Sequence, residues 1–304
     1  MASRDQFFED VRSIRHAAQL DIVSGNQEVG SVEAGSAAIM RRGLAVIAFA
    51  SFERFVKDRT EELVRDFNEK SPLRYEELPA KLGERFRVNS TEVYLRQMQR
   101  VESGQREIDL AERLGMSLAS INAERAMLSP ESLGWSGSNI NFDDLKGGLE
   151  ALGFKGPSNL LNDLLKRISN QKVESSAAEL FRAFSVRRHN AAHDASFHVS
   201  IVVARSLYRD LLLLGVATDI LLSVGFSSLN SGAKAEDLSA LLLVRVQKVA
   251  RGRRYRILGA DSGKTTYESP DDCHRKKTRK STNGAPAIVV LEVDDDHAPV
   301  SLVT

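Results

Sequence analysis

Residues 197–226 read FHVSIVVARSLYRDLLLLGVATDILLSVGF and form the most apolar stretch of the chain. The stretch is long enough to raise the question of a membrane span, yet Arg205, Arg209, Asp210 and Asp219 interrupt it. Each of these charges would be costly at the centre of a bilayer. The stretch therefore predicts the buried central helix of a helical bundle rather than a membrane span.

Helical periodicity extends over the first three quarters of the chain. Apolar residues three and four positions apart trace one stripe over residues 7–22 and a stronger one over residues 44–56. Glycine, proline and small polar residues interrupt the pattern between these stretches. Further helices are predicted at residues 91–101, 107–128, 142–152, 159–168 and 174–186. The predicted fold class is mainly α.

The sequence changes character after Ser227. We expect a helical domain over residues 1–228, with residues 131–170 as an insertion, and a linker over residues 229–239 that is rich in Ser and Gly. Residues 240–304 are predicted to form a small β-rich tail with basic loops. Its strand-like runs are residues 241–249, 254–258 and 287–293, and the polar residues 261–286 join them.

The composition is that of an ordinary soluble globular protein, with 42% hydrophobic and 27% charged residues among 304. Its 42 Lys and Arg are offset by 41 Asp and Glu, so the net charge of +1 does not point to nucleic acid. The single cysteine, Cys273, excludes an internal disulfide and a multi-cysteine zinc site. The first ten residues show no secretion signal, and we expect a cytoplasmic protein.

Residues 185–194, SVRRHNAAHD, gather guanidinium and imidazole groups within about two helical turns. Imidazole changes protonation near neutral pH, and guanidinium is the fixed charge that best matches a phosphate, so the two together can cleave RNA without a metal. On an ideal helix, residues five apart are turned by about 140° from each other. Arg188 and His193 would therefore converge only if the chain kinks or if the site is composite.

This segment resembles the signature of the HEPN superfamily of helical ribonucleases, in the branch called RiboL-PSP-HEPN (MAE-type). The signature is Arg, a polar residue, three or more further residues and His, and Arg188, His189 and His193 fill these places. Residues 41–56, RRGLAVIAFASFERFV, resemble the early helix of the family, with Glu53 as its acidic residue among aromatics. The resemblance covers about residues 1–228. It implies a HEPN-like bundle that forms a homodimer, in which two copies of the motif face one cleft.

The reaction that this resemblance implies is attack of an RNA 2′-hydroxyl on the adjacent phosphorus, with neither metal nor other cofactor. We expect His193 to transfer the proton and Arg188 to stabilise the charge that builds on the phosphate oxygens. His189 is expected to orient the phosphate or His193, with assistance from Asn190. By analogy with the acidic residue of the family, Glu53 would orient a cation of the site.

Each of these interpretations has an alternative. Arg188 and His193 would also suit a solvated helix end, where cations are favourable, and Glu53 would also suit an ordinary surface or salt-bridged position. His189 and His193 stand four apart and could bind zinc with Asp194 as a third ligand. Zinc hydrolases place a Glu after the first such His, however, and here that position is Asn190.

The remaining candidate RNA contacts are Arg187 and three tail residues, Arg253, Arg254 and Tyr255, for which a solvated charged surface is the alternative. The family resemblance implies an endoribonuclease that acts as a toxin or phage-defence effector and is restrained by an antitoxin or sensor protein. The alternative function is a catalytically silent helical scaffold that binds nucleic acid or a partner protein.

Overall fold

The computed structural model describes residues 3–25, 31–99, 104–133, 140–169, 175–231, 242–248, 255–257, 266–267, 269–279, 288–293 and 299–303. The chain is mainly helical, which confirms the predicted fold class at that level. The helices are α1 (Ser3–Gln19), α2 (Asp21–Ser24), α3 (Val32–Lys70), α4 (Ala80–Met98), α5 (Gln105–Ala119), α6 (Phe142–Ala151), α7 (Pro157–Ser169), α8 (Ala177–His193), α9 (Ile201–Asn230) and α10 (Pro270–Arg279). Short 3₁₀ turns occur at Tyr75–Glu77, Ser120–Asn122 and Pro130–Leu133.

The helix predicted for residues 107–128 ends earlier than its apolar pattern indicates. Helix α5 ends at Ala119, where the chain enters a 3₁₀ turn. The Ser120 hydroxyl accepts a hydrogen bond from the Met127 backbone N–H at 2.9 Å, and the Ser117 hydroxyl donates to the Met127 carbonyl at 2.7 Å. Serine side chains that bond to the backbone in this way compete with helical hydrogen bonds. The prediction was therefore wrong for residues 120–128.

The chain forms two compact units. The first unit comprises Met1–Val56, Leu161–Thr218 and Leu241–Thr304, and the second comprises Lys57–Leu160 and Asp219–Ala240. Helices α3 and α9 each contribute residues to both units.

Aromatic side chains form much of the core of the first unit. The rings of Phe7 and Phe55 stack with centroids 4.1 Å apart, so they join α1 to α3. Phe49 on α3 makes edge contacts with Phe181 at 5.8 Å and Phe184 at 5.4 Å, both on α8. All five side chains are buried. Burial of each such ring stabilises the fold by about 1.5–3 kcal/mol, and it fixes α8 against α3.

In the second unit, two half-buried polar side chains keep their hydrogen-bond partners. Arg59 donates from Nε to Asp219 at 2.8 Å and from Nη2 to Ser223 at 3.0 Å. Asn68 donates to the Leu128 carbonyl at 2.9 Å and accepts from the Leu128 N–H at 2.8 Å. These bonds replace the hydrogen bonds to water that burial removes.

Among the described residues, α3 and α9 are the helices long and apolar enough to cross a membrane by length and composition. In α9, 89% of the most apolar window is buried inside the protein, against 39% in α3. The acidic residues of α9 are paired, Asp210 with Arg187 and Asp219 with Arg59. The predicted burial of residues 197–226 is confirmed for residues 211–226, whereas residues 197–210 are mostly half-buried or exposed and the helix begins at Ile201.

The described strands form one mixed sheet, in the order β3-β2-β1-β4-β5. They are β1 (Leu242–Lys248), β2 (Tyr255–Ile257), β3 (Thr266–Tyr267), β4 (Ile288–Val293) and β5 (Pro299–Val303). β1 and β4 are parallel, with Leu242 opposite Ile288, whereas the other pairs are antiparallel. Helix α10 lies within the segment predicted as an irregular polar stretch and packs against β4.

Candidate active site

Helix α8 carries the Arg/His segment to its C-terminal end. It begins after Ser176, whose hydroxyl accepts from the Glu179 N–H at 3.2 Å while the Glu179 carboxylate accepts from the Ser176 N–H at 2.8 Å. This reciprocal pair is a capping box. The helix was predicted to end at Val186, but it continues to His193 because Arg and Ala favour helix and no Gly or Pro intervenes. The segment is thus the last two turns of α8 rather than a junction between two helices.

The two imidazoles of the segment lie together on one exposed face. His189 and His193 are four residues apart, and their ring centroids are 4.8 Å apart with the planes inclined by 50°. Both side chains are exposed. Val186, three residues before His189, is 48% exposed and lies on the same side of the helix. We call Val186, His189 and His193 the imidazole face.

Arg188 and Asn190 are half-buried on other sides of α8. Because α8 is a continuous helix through His193, Arg188 is turned by about 140° from His193. The structure therefore excludes a kink that would bring the two together within one chain. The two side chains therefore leave α8 on different sides.

Arg187 is held inside its own unit by an ion pair with Asp210 of α9. Its Nη1 atom donates to the Asp210 carboxylate at 2.9 Å, and the two side chains are only 27% and 15% exposed. Burial raises the pKa of Asp210 above its usual value, although the hydrogen bond and the charge of Arg187 oppose this rise. The guanidinium that was predicted to contact RNA thus already has a carboxylate partner.

Glu53, the predicted orienting carboxylate, lies in α3 and is only 8% exposed. This burial is inconsistent with an ordinary surface position, whereas the alternative of a salt-bridged residue stays open. Arg253 and Arg254 lie outside the described residues. Tyr255 is the first residue of β2, where its backbone lies opposite Lys248 and Tyr267.

The loop after α8 is contacted by a residue of α3 whose role the sequence did not reveal. Arg42 of α3 donates from Nη1 to the carbonyl of Asp194 at 3.3 Å and to the carbonyl of Ala195. It is therefore joined directly to the two residues that follow His193. A single sequence holds no signal for this contact, because the acceptors are backbone carbonyls.

Asp194 was considered above as a third zinc ligand. Its carboxylate accepts hydrogen bonds from the Ser196 N–H at 2.8 Å and the Ser196 hydroxyl at 2.6 Å. These bonds lower the pKa of Asp194, so the carboxylate is ionised and engaged within its own loop. Within the part of the chain that the structure describes, no group of three or more His, Cys, Asp or Glu side chains is arranged to hold a metal ion.

Comparisons with protein-family models, curated proteins and solved structures find no match for this chain. Its function is therefore inferred from its own residues. Two exposed imidazoles within contact distance can exchange protons with a bound phosphodiester, and the half-buried guanidinium of Arg188, on another side of the same helix, is a group that can bind its charge.

Proposed function

We propose that this protein is a metal-independent endoribonuclease of the HEPN type. The observation that supports this most strongly is the imidazole face, where His189 and His193 lie 4.8 Å apart in open solvent on a helix that also carries Arg188. Imidazoles buried for packing would be sealed under neighbouring side chains. These two are instead accessible to a strand of RNA.

In the proposed reaction, His193 of one subunit removes the proton from a ribose 2′-hydroxyl as that oxygen attacks the adjacent phosphorus. The bond from phosphorus to the 5′-oxygen breaks, and the leaving oxygen takes a proton from a second imidazole, His193 of the partner subunit. The products are a 2′,3′-cyclic phosphate and a free 5′-hydroxyl. Arg188 binds the phosphate oxygens as negative charge builds on them. His189 and Asn190 orient the phosphate or His193.

A homodimer is the active unit in this proposal. Because α8 is a regular helix, Arg188 and His193 of one chain leave it on different sides, and a two-fold axis near His193 would bring the Arg188 of one chain toward the His193 of the other. The exposed Val186 gives the imidazole face an apolar contact for that second copy.

The finer architecture belongs to the same proposal. We infer that the helices form a HEPN-like bundle and that residues 240–304 are a β-rich appendage whose Arg253, Arg254 and Tyr255 contact RNA. An active ribonuclease needs restraint, so we propose a toxin or phage-defence effector with an antitoxin or sensor partner, acting in the cytoplasm.

The proposal is tested with purified protein and total RNA in excess EDTA. We expect cleavage by the wild type, a loss of about 10²- to 10⁴-fold in His193→Ala, and a loss of about 10²- to 10³-fold in Arg188→Ala. His198→Ala is the matched control, because His198 is exposed but lies in the loop after α8, and it is expected to be unchanged. No cleavage by the wild type favours the scaffold, and abolition by EDTA favours a metal enzyme.

The dimer is tested separately by Val186→Asp, with Val202→Asp as its control. Both valines are exposed, at 48% and 77%, but only Val186 lies on the imidazole face. We expect sedimentation to show dissociation and loss of cleavage for Val186→Asp alone. A Val186→Asp variant that remains dimeric and active contradicts the composite site.

A further inference from the structure

Two neighbouring arginines of α3 have different hydrogen-bond partners. Arg41 donates from Nε to the carbonyl of Ala37 at 3.1 Å, within its own helix. Arg42 reaches across the fold and donates to the carbonyls of Asp194 and Ala195, more than 150 residues further along the chain. Both side chains are half-buried. The difference indicates a specific role for Arg42 at the end of α8.

The residues that Arg42 contacts form a hydrogen-bonded turn directly after His193. The Asp194 N–H donates to the Asn190 carbonyl at 2.8 Å and so completes the last turn of α8. The Asp194 carbonyl accepts from the Phe197 N–H at 3.1 Å as well as from Arg42. The last carbonyls of a helix have no partner within the helix, and a cation near them is favourable. Arg42 thus supplies a cation and donors to the carbonyls of the turn that directly follows α8.

The position of His193 depends on this turn, because helix ends fray when their carbonyls and N–H groups lose their partners. His193 is the last residue of α8, and its peptide bond leads directly to Asp194. A catalytic imidazole must be held within a fraction of an ångström, since small displacements reduce the rate strongly. Anchoring of the turn to α3 restricts such displacement.

We propose that Arg42 is a positioning residue of the nuclease site, which holds the turn after His193 against α3 and thereby fixes the imidazole for proton transfer. This inference rests on the function proposed above. Arg42 acts through the backbone of Asp194 and Ala195, and its effect belongs to the chemical step rather than to RNA binding.

The test compares Arg42→Ala and Arg42→Lys with Arg41→Ala, the matched control that removes the same charge from the same helix. Hydrogen exchange is measured at the amides of Asp194, Ser196 and Phe197, together with kcat and KM for RNA cleavage. All measurements are made at a temperature where circular dichroism shows each variant fully folded. We expect Arg42→Ala to accelerate exchange at these amides and to lower kcat by about 10- to 100-fold with little change in KM. Compared with Arg42→Ala, Arg42→Lys should restore part of the protection from exchange and part of the kcat.

Three outcomes would overturn the inference: wild-type exchange in Arg42→Ala, an equal loss of activity in Arg41→Ala, or a rise in KM without a fall in kcat. A wild-type protein that does not cleave RNA would instead refute the proposed nuclease. In that case, the exchange data would still decide whether Arg42 anchors the turn.

Discussion

Gly215 lies in the middle of α9, directly against the ring of Phe7. A Cβ atom added at Gly215 would lie 2.1 Å from Cζ of that ring and 2.8 Å from each Cε, whereas ordinary contact begins near 3.4 Å. The ring would have to move by more than about 1 Å, yet it is only 2% exposed and stacks on Phe55. Substitution by alanine therefore tests whether α1 is packed against α9 as described.

Two opposing effects determine the result of Gly215→Ala. Alanine is favoured over glycine in a helix by about 1 kcal/mol, whereas an extra group in a packed core costs about 1–3 kcal/mol. Because the Phe7 ring has little room to move, we expect the free energy of unfolding to fall by about 1–2 kcal/mol. Urea unfolding followed by circular dichroism measures the change.

Gly43→Ala is the control, since Gly43 is also inside a helix, α3, but a Cβ there meets nothing within 4 Å. We expect the free energy of unfolding of this variant to rise by about 0.5–1 kcal/mol. Phe7→Leu should lower the free energy of unfolding less in the Gly215→Ala background than in the wild type, because the smaller side chain leaves room for the methyl group. A Gly215→Ala protein as stable as Gly43→Ala would refute the packing argument.

Three further predictions concern the ion pair of Asp219 and the N-terminal cap of α8. Asp219→Ala should lower the free energy of unfolding by about 1–3 kcal/mol, because it removes the buried acceptor of the Arg59 Nε and leaves that half-buried guanidinium with Glu62 and Ser223, and Asp219→Asn should cost less in the same denaturation assay. Ser176→Ala should lower the free energy of unfolding by about 1 kcal/mol, because α8 loses its N-terminal cap. Hydrogen bonds from Ser176 lower the pKa of Glu179 below 4.5, so their stabilisation is present above that pH and is lost as the pH falls through the lowered pKa. Thermal unfolding measured as the pH is lowered should show a smaller loss of stability in Glu179→Gln than in the wild type. An unchanged dependence of stability on pH would contradict the capping role.

The sequence pattern alone was sufficient to predict those helices in which buried residues recur at helical spacing. Helices α6 and α7 begin and end within two residues of the predicted bounds, because Leu145 and Leu149, like Leu161 and Leu165, recur at helical spacing and are buried. Helix α10 was missed although its start carries a capping signal. The Ser269 hydroxyl accepts a hydrogen bond from the Asp272 N–H at 3.0 Å, and Pro270 is the first residue of the helix.

At the candidate site, residue spacing predicts the contact between the imidazoles but not the contact of Arg42. Imidazoles four residues apart meet on any continuous helix, so the contact between His189 and His193 follows from their spacing once α8 extends that far. The same continuity separates Arg188 from His193, and this separation is the reason why the proposed nuclease site draws on a second chain. No such spacing rule predicts the contact of Arg42 with the turn after α8. Its acceptors are backbone carbonyls, which every residue has, so only the packing of α3 beside the end of α8 distinguishes it from Arg41.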